Sequence, residues 1–449
     1  MISCYDYAWK IAFGNLKKAN GGGRFISNYI DTAFHNYLFM WDSSFIVMFG
    51  KYASEIFNFQ NTLNNFYHNQ HQDGFICRQL FEKCEGEVFA RHDPSSTGPN
   101  IMPWSEWEYY LQTGDTERLS RIFKPLLAYH LWLKENRTWR DGTYWSSGWG
   151  CGMDNQPRLQ KGYHVCFSHG HMIWSDTCMQ QVLSAKILVQ MAEVLGEKNE
   201  GIEELKEEID RLTSVINEQL WSEDDSYYYD MYRNGRLNMV KSVGAYWALL
   251  ADIVPKERLD RFIAHLDNPA EFNRAVRVPT LSADHPGYVP NGGYWRGSVW
   301  APTNYMVLKG LEKHGYHGLS FDIAKNCLEN VVAVYNSTHT LWENYASESA
   351  EKPENALPRM VGWSGLFPIS ILLEYVFGIR PHAREKRIVW RVNLTEAHGV
   401  RDYPLGEAKV DLTCEKRNST EEEPLITVVC EEPITVEVHY GEHVKIIQT

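Results

Sequence analysis

Residues 100–136, NIMPWSEWEYYLQTGDTERLSRIFKPLLAYHLWLKEN, decide the fold class of this chain. Apolar side chains recur at helical spacing on both sides of the turn sequence Thr113-Gly114-Asp115. The pattern predicts two helices, and the short connection between them makes the two helices antiparallel neighbours. A hairpin of this kind carries an apolar stripe, so it must pack against further helices.

The same arrangement is predicted at several other places along the chain. Single helices are expected in the N-terminal segment, at 44–63 and at 364–377. Three further hairpins are expected at 174–196 with 200–220, 241–252 with 255–266, and 300–314 with 318–335. About six hairpins without a fixed sequence period favour a closed ring over a solenoid. We therefore predict a mainly α fold, an (α/α)6 toroid of two concentric helix rings.

The C-terminal part of the chain follows a different pattern. From Lys386 onward, short segments rich in Val, Ile and Thr alternate with a period of two, as in KRIVWRV, AKVDLTC, PLITVVC and ITVEVHY. This pattern predicts a small antiparallel β domain of sandwich-like form after Arg380-Pro381. The expected domains are therefore 1–380 and 381–449. The second domain either packs on the first as a structural element or serves as a sugar-binding accessory module.

The composition argues against several classes of function. A formal net charge of −13 argues against nucleic acid and anionic membranes as partners, because both attract clustered Lys and Arg. No apolar run approaches the roughly 20 residues of a membrane span, and the N-terminus lacks the features of a signal peptide. Nine Cys without a CxxC pair, and no Gly-rich phosphate loop, predict no metal and no cofactor. We expect a cytoplasmic protein; the sequence does not specify its oligomeric state.

Aromatic residues are abundant, with 16 Trp, 25 Tyr and 19 Phe, and many of them stand in polar, Gly-rich stretches. An aromatic face stacks on the C–H face of a sugar ring, so this distribution favours a cleft for a small carbohydrate. The alternative interpretation is that these side chains fill a large core.

Hydrolysis of a glycosidic bond needs one protonated and one ionised carboxyl group. Acids embedded in aromatic loops are the candidates, because burial raises the pKa of a carboxyl group and retains its proton. Three stretches carry such acids: Trp41-Asp42-Ser43-Ser44-Phe45, the segment from Trp149 to Arg158 with Asp154, and Leu341-Trp342-Glu343-Asn344-Tyr345. A fourth aromatic stretch, 292–302, carries Tyr294, Trp295, Arg296 and Trp300. Loops at one end of a toroid surround a single funnel, so these stretches are expected to converge.

Each candidate also has a purely structural interpretation. Asp42 could be the N-cap of a helix, and Asp154 could belong to an ordinary turn. Glu343 could be a solvated loop acid, with Glu348, Glu351 and Glu354 competing for its role. The run from Tyr294 to Trp300 could be core filling.

Taken together, the motifs resemble the catalytic domain of glycoside hydrolase family sixty-three, and within it the compact bacterial branch of mannosylglycerate and glucosylglycerate hydrolases. The residues that carry the resemblance are WDSSF, GPN and WxxYxxTGD between Gly98 and Asp115, GMDNQPR, SAD, GYWRGSVW, ENY and VGWSG, over roughly residues 30–375. The resemblance implies an (α/α)6 barrel and an inverting mechanism. In that mechanism the two carboxyl groups stand about 6.5–9.5 Å apart and leave room for a water molecule.

The resemblance also implies roles for individual residues. Asp154 would be the general acid, Glu343 the general base, and Asp42 a hydrogen-bond partner of the sugar hydroxyls. Related trehalases of family thirty-seven have their base nearer the last motif, where this chain has Glu354. The remaining expected substrate contacts are Tyr37, Trp41, Arg91, Trp149, Tyr294, Trp295, Arg296, Trp300 and Trp363.

Four other functions stay open at this level. The chain could be a trehalase-like hydrolase, or a rhamnosidase-like one, because its β tail resembles that of α-rhamnosidases. A sugar epimerase would share the double helical ring but use paired His, for which His164, His169 and His171 are candidates. A sugar-binding protein without turnover is the remaining alternative.

Overall fold

The computed structural model describes residues 1–20, 23–32, 36–82, 87–360 and 362–449. Within these residues the chain is mainly helical, as predicted. The α-helices are α1 (Ile2–Gly14), α2 (Met40–Gly50), α3 (Asn61–His68), α4 (Met102–Thr113), α5 (Thr116–Asn136), α6 (Ser175–Leu195), α7 (Glu200–Gln219), α8 (Trp247–Leu250), α9 (Lys256–Ile263), α10 (Ala301–Lys313) and α11 (His317–Thr338). A 3-10 segment, Trp363–Leu366, continues into a π-helical segment, Phe367–Val376.

The turn between α4 and α5 shows why the predicted hairpins form. Gly114 ends α4 with a φ of 69°, a left-handed conformation that glycine adopts at low cost. The side chain of Asp115 then accepts a hydrogen bond from the backbone N–H of Arg118 at 2.8 Å and caps α5. The two helices are therefore antiparallel, and α5 packs on both α4 and α6.

Six segments contact one another in cyclic order. Helix α2 contacts α4, α4 contacts α6, α6 contacts α8, and α8 contacts α10. Helix α10 contacts the segment Trp363–Leu366, which returns to α2. Helices α3, α5, α7 and α11 pack against members of this set, and α1 packs against the segment 363–376.

A buried cluster of charges joins four of these segments. Lys51, which follows α2, lies 3.2 Å from both Glu108 of α4 and Glu374 of the π-helical segment. Lys309 of α10 lies 2.9 Å from the same two carboxylates. Tyr305 donates a further hydrogen bond to Glu374 at 2.9 Å. Each buried charge is thus paired with opposite charges, without which its burial would be costly.

Two predicted helices differ in detail. The segment 44–63 breaks after Gly50, because the chain turns back and Phe59 packs on that glycine; a Cβ there would lie 2.2 Å from the Phe59 ring. The last predicted helix, 364–377, begins as a 3-10 turn and widens into a π-helix. Pro368 stands at this transition and has no backbone N–H to donate.

Short strands lie between the helices, and longer ones form the C-terminal part. The strands are β1 (Leu16–Lys17), β2 (Tyr29–Ile30), β3 (Tyr37–Phe39), β4 (Gln79–Phe81), β5 (Met172–Ile173), β6 (Trp221–Ser222), β7 (Tyr227–Tyr228), β8 (Asp230–Tyr232), β9 (Leu237–Asn238), β10 (Ile379–His382), β11 (Arg387–Arg391), β12 (His398–Leu405), β13 (Ala408–Cys414), β14 (Ile426–Cys430), β15 (Thr435–Tyr440) and β16 (His443–Gln448).

The C-terminal strands form two sheets, β10-β11-β15-β16 and β12-β13-β14. One pairing corrects the prediction of a purely antiparallel domain, since β11 and β15 are parallel, with Ile388 opposite Val436. A parallel pair needs a long crossover, and here the second sheet lies within that connection. Gly406, between β12 and β13, donates its backbone N–H to the Gln112 carbonyl of α4 at 2.9 Å. The strands therefore pack directly on the helical part of the chain.

Candidate active site

A cavity of about 350 Å³ opens among the loops and helix starts that carry the sequence motifs. This volume is at the small end of the range for ligand sites, about 300–1000 Å³. The residues that line it are Thr32, Phe39, Met40, Trp41, Asp42, Arg78, Gln79, Gly98, Pro99, Trp149, Gly152, Asp154, Tyr294, Trp295, Glu343, Leu357, Met360 and Trp363. Val361 of the VGWSG motif lies outside the described residues.

Asp42 stands in the first turn of α2, which begins at Met40. The N-cap residue is Phe39, so Asp42 is not the cap that a purely structural interpretation assigned to it. Burial raises the pKa of the Asp42 carboxyl well above its usual value, and the nearby carboxylate of Glu343 raises it further. Asp42 therefore presents a carboxyl group to the cavity beside the other acids.

Asp154 lies in the loop between α5 and α6. The neighbouring Asn155 fixes the loop, because its side chain donates to the Gly293 carbonyl at 3.0 Å and accepts from the Trp295 N–H at 2.9 Å. Gly152 has a φ of 79°, and a Cβ there would lie 3.0 Å from the Trp41 ring. Glycine thus lets residues 149–158, here called the acid loop, approach one wall of the cavity closely.

Arg158 holds the other end of the acid loop. Its buried guanidinium forms ion pairs with Asp176 at 2.6 Å and with Asp230 at 2.7 Å, and it lies over the Trp174 ring. Asp176 belongs to the first turn of α6. The Arg of the GMDNQPR motif is therefore a structural anchor that ties the acid loop to the helical core.

Glu343 enters the cavity from the loop after α11, and only 7% of its surface is exposed. Its carboxylate accepts hydrogen bonds from the Tyr294 hydroxyl and from the Leu357 N–H, both at 3.2 Å. Its backbone carbonyl accepts from the Trp363 indole at 2.9 Å. The bonds from Tyr294 and Trp363 thus join three separate motifs at one residue, Glu343.

An aromatic wall completes the cavity. Trp295 lies on Trp300, with ring centroids 3.8 Å apart and ring planes 5° apart. Trp300 itself is fully buried and supports Trp295 from behind. Trp149, by contrast, lines the cavity and is 38% exposed. Part of this indole is therefore accessible to solvent.

Burial controls the acidity of the carboxyl groups. It raises the pKa of Asp154 to about 6, although the Arg78 guanidinium opposes this effect. It also raises the pKa of Glu343, against the hydrogen bonds from Leu357 and Tyr294. Together with Asp42, these residues place three carboxyl groups around one cavity. Because their mutual repulsion adds to the cost of burial, both effects favour the protonated forms of these carboxyl groups.

Four predicted contacts do not line the cavity. Tyr37 stacks on Phe81 with centroids 4.5 Å apart, and Trp300 lies behind its neighbour as described. Arg296 donates from Nε to the Gly287 carbonyl at 3.0 Å. Arg91 pairs with Asp73 and lies over an aromatic ring. The arginine at the cavity is instead Arg78, which no aromatic motif in the sequence indicated.

The residues that would support the alternative functions do not line the cavity. Glu354, the trehalase-like candidate for the base, is exposed and does not line the cavity. His169 packs between Trp139 and Trp145, and its ring centroid lies 4.9 Å from that of His171. No His is among the described residues that line the cavity, so the pair that an epimerase requires is not seen there.

The described residues contain no group of three or more His, Cys, Asp or Glu side chains arranged to hold a metal ion. None of their helices has both the length and the apolar content needed to span a bilayer.

A cavity that gathers carboxyl groups among aromatic side chains is the arrangement of a glycoside hydrolase. A family model described as the mannosylglycerate hydrolase MGH1-like glycoside hydrolase domain matches residues 35–356. The chain belongs to this family, and it is a hydrolase of O-glycosidic bonds. The resemblance to family sixty-three is thereby confirmed.

Relatives and solved structures agree with this assignment. A mannosylglycerate hydrolase of Thermus thermophilus is 24% identical over 361 residues, 65% of this chain and 85% of that protein. The structure of a GH63 mannosylglycerate hydrolase from another strain of the same species, in complex with glucose, matches with a TM-score of 0.68 and 19% identity, over 81% of this chain and 99% of that one.

A further structural match extends over more of the chain. A GH78 family rhamnosidase of a Bacillus species matches with a TM-score of 0.65 and 14% identity, over 97% of this chain and 41% of that one. At this identity the match concerns the fold alone. Its extent reaches into the C-terminal strands, so helices followed by these sheets recur in another glycosidase.

Proposed function

We propose that the chain is an inverting hydrolase of α-glycosides, with Asp154 as general acid and Glu343 as general base. The observation that carries this proposal is that both carboxyl groups line one cavity and both have a raised pKa, whereas Glu354 is exposed outside the cavity. An acid with a pKa of about 6 retains its proton in mildly acidic solution and can release it to a leaving group.

In the proposed reaction, Asp154 gives its proton to the glycosidic oxygen as the bond from that oxygen to the anomeric carbon breaks. Glu343 takes a proton from a water molecule, whose oxygen bonds to the anomeric carbon from the opposite face. The products are the free aglycone alcohol and a sugar of inverted configuration, so an α-glycoside gives a β-sugar. The Tyr294 hydroxyl orients the base through its hydrogen bond to Glu343. Asp42 is the proposed partner of the sugar hydroxyls.

We propose α-mannosides or α-glucosides with a small aglycone as substrates. The volume of the cavity, about 350 Å³, supports a substrate of one or two rings. The name of the Thermus relative and the glucose in the matched structure support a hexose in the cleavage subsite. Trp149 at the rim is the proposed stacking surface, while Trp41, Trp295 and Trp363 shape the subsite.

The cyclic contacts of the helices support the (α/α)6 toroid as the architecture of the catalytic domain. Strand β10, Ile379–His382, is the first strand of the C-terminal sheets, so the proposed domains 1–380 and 381–449 meet within this strand. The eight described Cys are free thiols, which suits the reducing cytoplasm.

Proton NMR tests this proposal. The purified protein is mixed with α-glucosides and α-mannosides, including glycerate conjugates and short disaccharides. We expect one substrate to release a sugar whose β-anomer appears before mutarotation. An α-anomer formed first would overturn the inverting mechanism and the role of Glu343. Tight binding of the panel without cleavage would overturn the assignment of catalysis and favour a sugar-binding protein.

The pH dependence of kcat/KM gives a second test, since it reports on the free enzyme. We expect activity to fall as pH rises through about 6, because Asp154 then loses the proton it must donate. Activity also falls at low pH, where Glu343 becomes protonated; burial raises the pKa of Glu343, so this limb lies above the usual range of a glutamate. Initial rates across the pH range measure both limbs. Activity that keeps rising above neutral pH would contradict the assignment of the acid.

A further inference from the structure

Arg78 reaches the cavity through the pairing of two short strands. Strand β3 leads directly into α2, and its pairing with β4 places Phe39 opposite Gln79. The backbone carbonyl of Arg78, immediately before β4, accepts from the Met40 N–H at 2.8 Å. The start of α2 and Arg78 are thus neighbours, although almost 40 residues separate them in the sequence. Asp42 follows two residues after Met40 and lines the same cavity as Arg78.

The guanidinium of Arg78 is held on two sides. Its Nε donates to the Ser95 carbonyl at 2.6 Å, and its plane lies over the Phe89 ring, 4.5 Å from the centroid. The Ser95 hydroxyl in turn contacts the Ser147 hydroxyl at 2.5 Å, just before the acid loop. The side chain is therefore fixed relative to the loop that carries Asp154.

We propose that Arg78 is a positioning residue that sets how strongly Asp154 holds its proton, acting as the fixed positive charge of the cavity that it shares with Asp154 and Asp42. This inference rests on the proposed role of Asp154 as the general acid. Arg78 is the only Arg or Lys among the described residues that line the cavity, which also contains the carboxyl groups of Asp42, Asp154 and Glu343. A cation stabilises an adjacent carboxylate, so it opposes the effect of burial.

The groups around Asp154 indicate that the charge of Arg78 acts on this carboxyl group rather than on Glu343. The described titratable groups that interact with it are Arg78, Asp42, Glu343, Tyr294 and Cys151. Of these, only Arg78 carries a positive charge. The hydrogen bonds and charges that act on Glu343 come from Leu357, Tyr294, Asp154 and Asp42, and Arg78 is not among them. Loss of the Arg78 charge should therefore change the pKa of Asp154 far more than the pKa of Glu343.

The experiment measures the pKa of Asp154 directly and also through turnover. Protein labelled with 13C at the Asp carboxyl carbons is titrated by NMR, and Asp154→Asn identifies the resonance. In Arg78→Met the pKa of Asp154 should rise by about 1 pH unit. In Arg78→Lys, which keeps the charge, it should stay near the wild-type value. Arg121→Met, an exposed position on α5, is the control for loss of an arginine elsewhere.

The pH profile of kcat/KM completes the test. In Arg78→Met the alkaline limb should move upward with the pKa of Asp154, while the acid limb stays in place. An unchanged Asp154 titration in a folded Arg78→Met protein would overturn the inference. If the pKa of Asp154 rises but the alkaline limb of kcat/KM does not move, the interaction of Arg78 with Asp154 stands. The role of Asp154 as general acid is then overturned. If Arg78→Met fails to fold, a wild-type alkaline limb in Arg78→Lys supports the inference, and a displaced limb overturns it.

Discussion

Replacement of Asp154 by Asn is expected to lower kcat by about 10²–10⁴-fold, the usual contribution of a general acid. The amide has nearly the same shape, so the loop bonds of Asn155 to Gly293 and Trp295 should persist. It has no proton to give to the leaving oxygen, so the aglycone must depart as an alkoxide. Steady-state rates on the substrate identified by NMR measure the loss. KM should change much less than kcat, because binding depends on other groups.

Two further variants test whether the roles of the acids are assigned correctly. Glu343→Gln should lose activity to a similar extent, since the amide cannot accept a proton from water. Glu354→Gln should keep wild-type activity, because Glu354 is exposed and outside the cavity. A loss below tenfold in Asp154→Asn, or a large loss in Glu354→Gln, would mean that the roles of the acids are wrongly assigned.

Replacement of Arg158 by Met is expected to reduce the free energy of unfolding by about 3–5 kcal/mol, the typical effect of breaking a buried ion pair. Methionine leaves Asp176 and Asp230 buried without their cation, and the bonds at 2.6 and 2.7 Å are lost. The start of α6 and the acid loop should then separate. Guanidinium denaturation followed by circular dichroism measures the change in stability.

The matched control is Arg140→Met. Arg140 is exposed, and surface substitutions of this kind usually change stability by no more than about 0.5 kcal/mol. If Arg158→Met unfolds at the same denaturant concentration as Arg140→Met, the ion pairs do not anchor the loop. A stable Arg158→Met protein with reduced activity would show instead that the anchor serves only the geometry of the acid.

Local signals in the sequence predicted much of the helical part. The turn Thr113-Gly114-Asp115 contains both a helix stop and a helix cap, and the structure uses both. Features that depend on contacts between distant residues could not be predicted from the sequence. The break after Gly50 follows from the packing of Phe59 on it. The parallel pairing of β11 with β15 depends on a crossover through another sheet, which periodicity does not reveal.

In the candidate site, too, residues in local motifs were predicted, and a residue placed by a distant contact was not. Asp42, Asp154 and Glu343 stand in aromatic motifs, and the cavity contains all three. The family resemblance implied that Arg91 contacts the substrate, whereas its guanidinium pairs with Asp73. Arg78 enters the cavity because β4 pairs with β3, and strands of three residues leave almost no periodic signal.

The cyclic order of helix contacts has a consequence for the order of events during synthesis. Tyr52 donates to Glu374 at 2.8 Å, across 322 residues of sequence, and Trp363 donates to the loop of Glu343. The first-made helices therefore lack their final neighbours until the ribosome has produced most of the chain. Contacts of such separation slow folding and leave apolar faces uncovered meanwhile. A nascent chain that stops before Trp363 lacks the segment that completes the cyclic helix contacts and one of the side chains that line the cavity, so we expect hydrolytic activity to arise only late in translation.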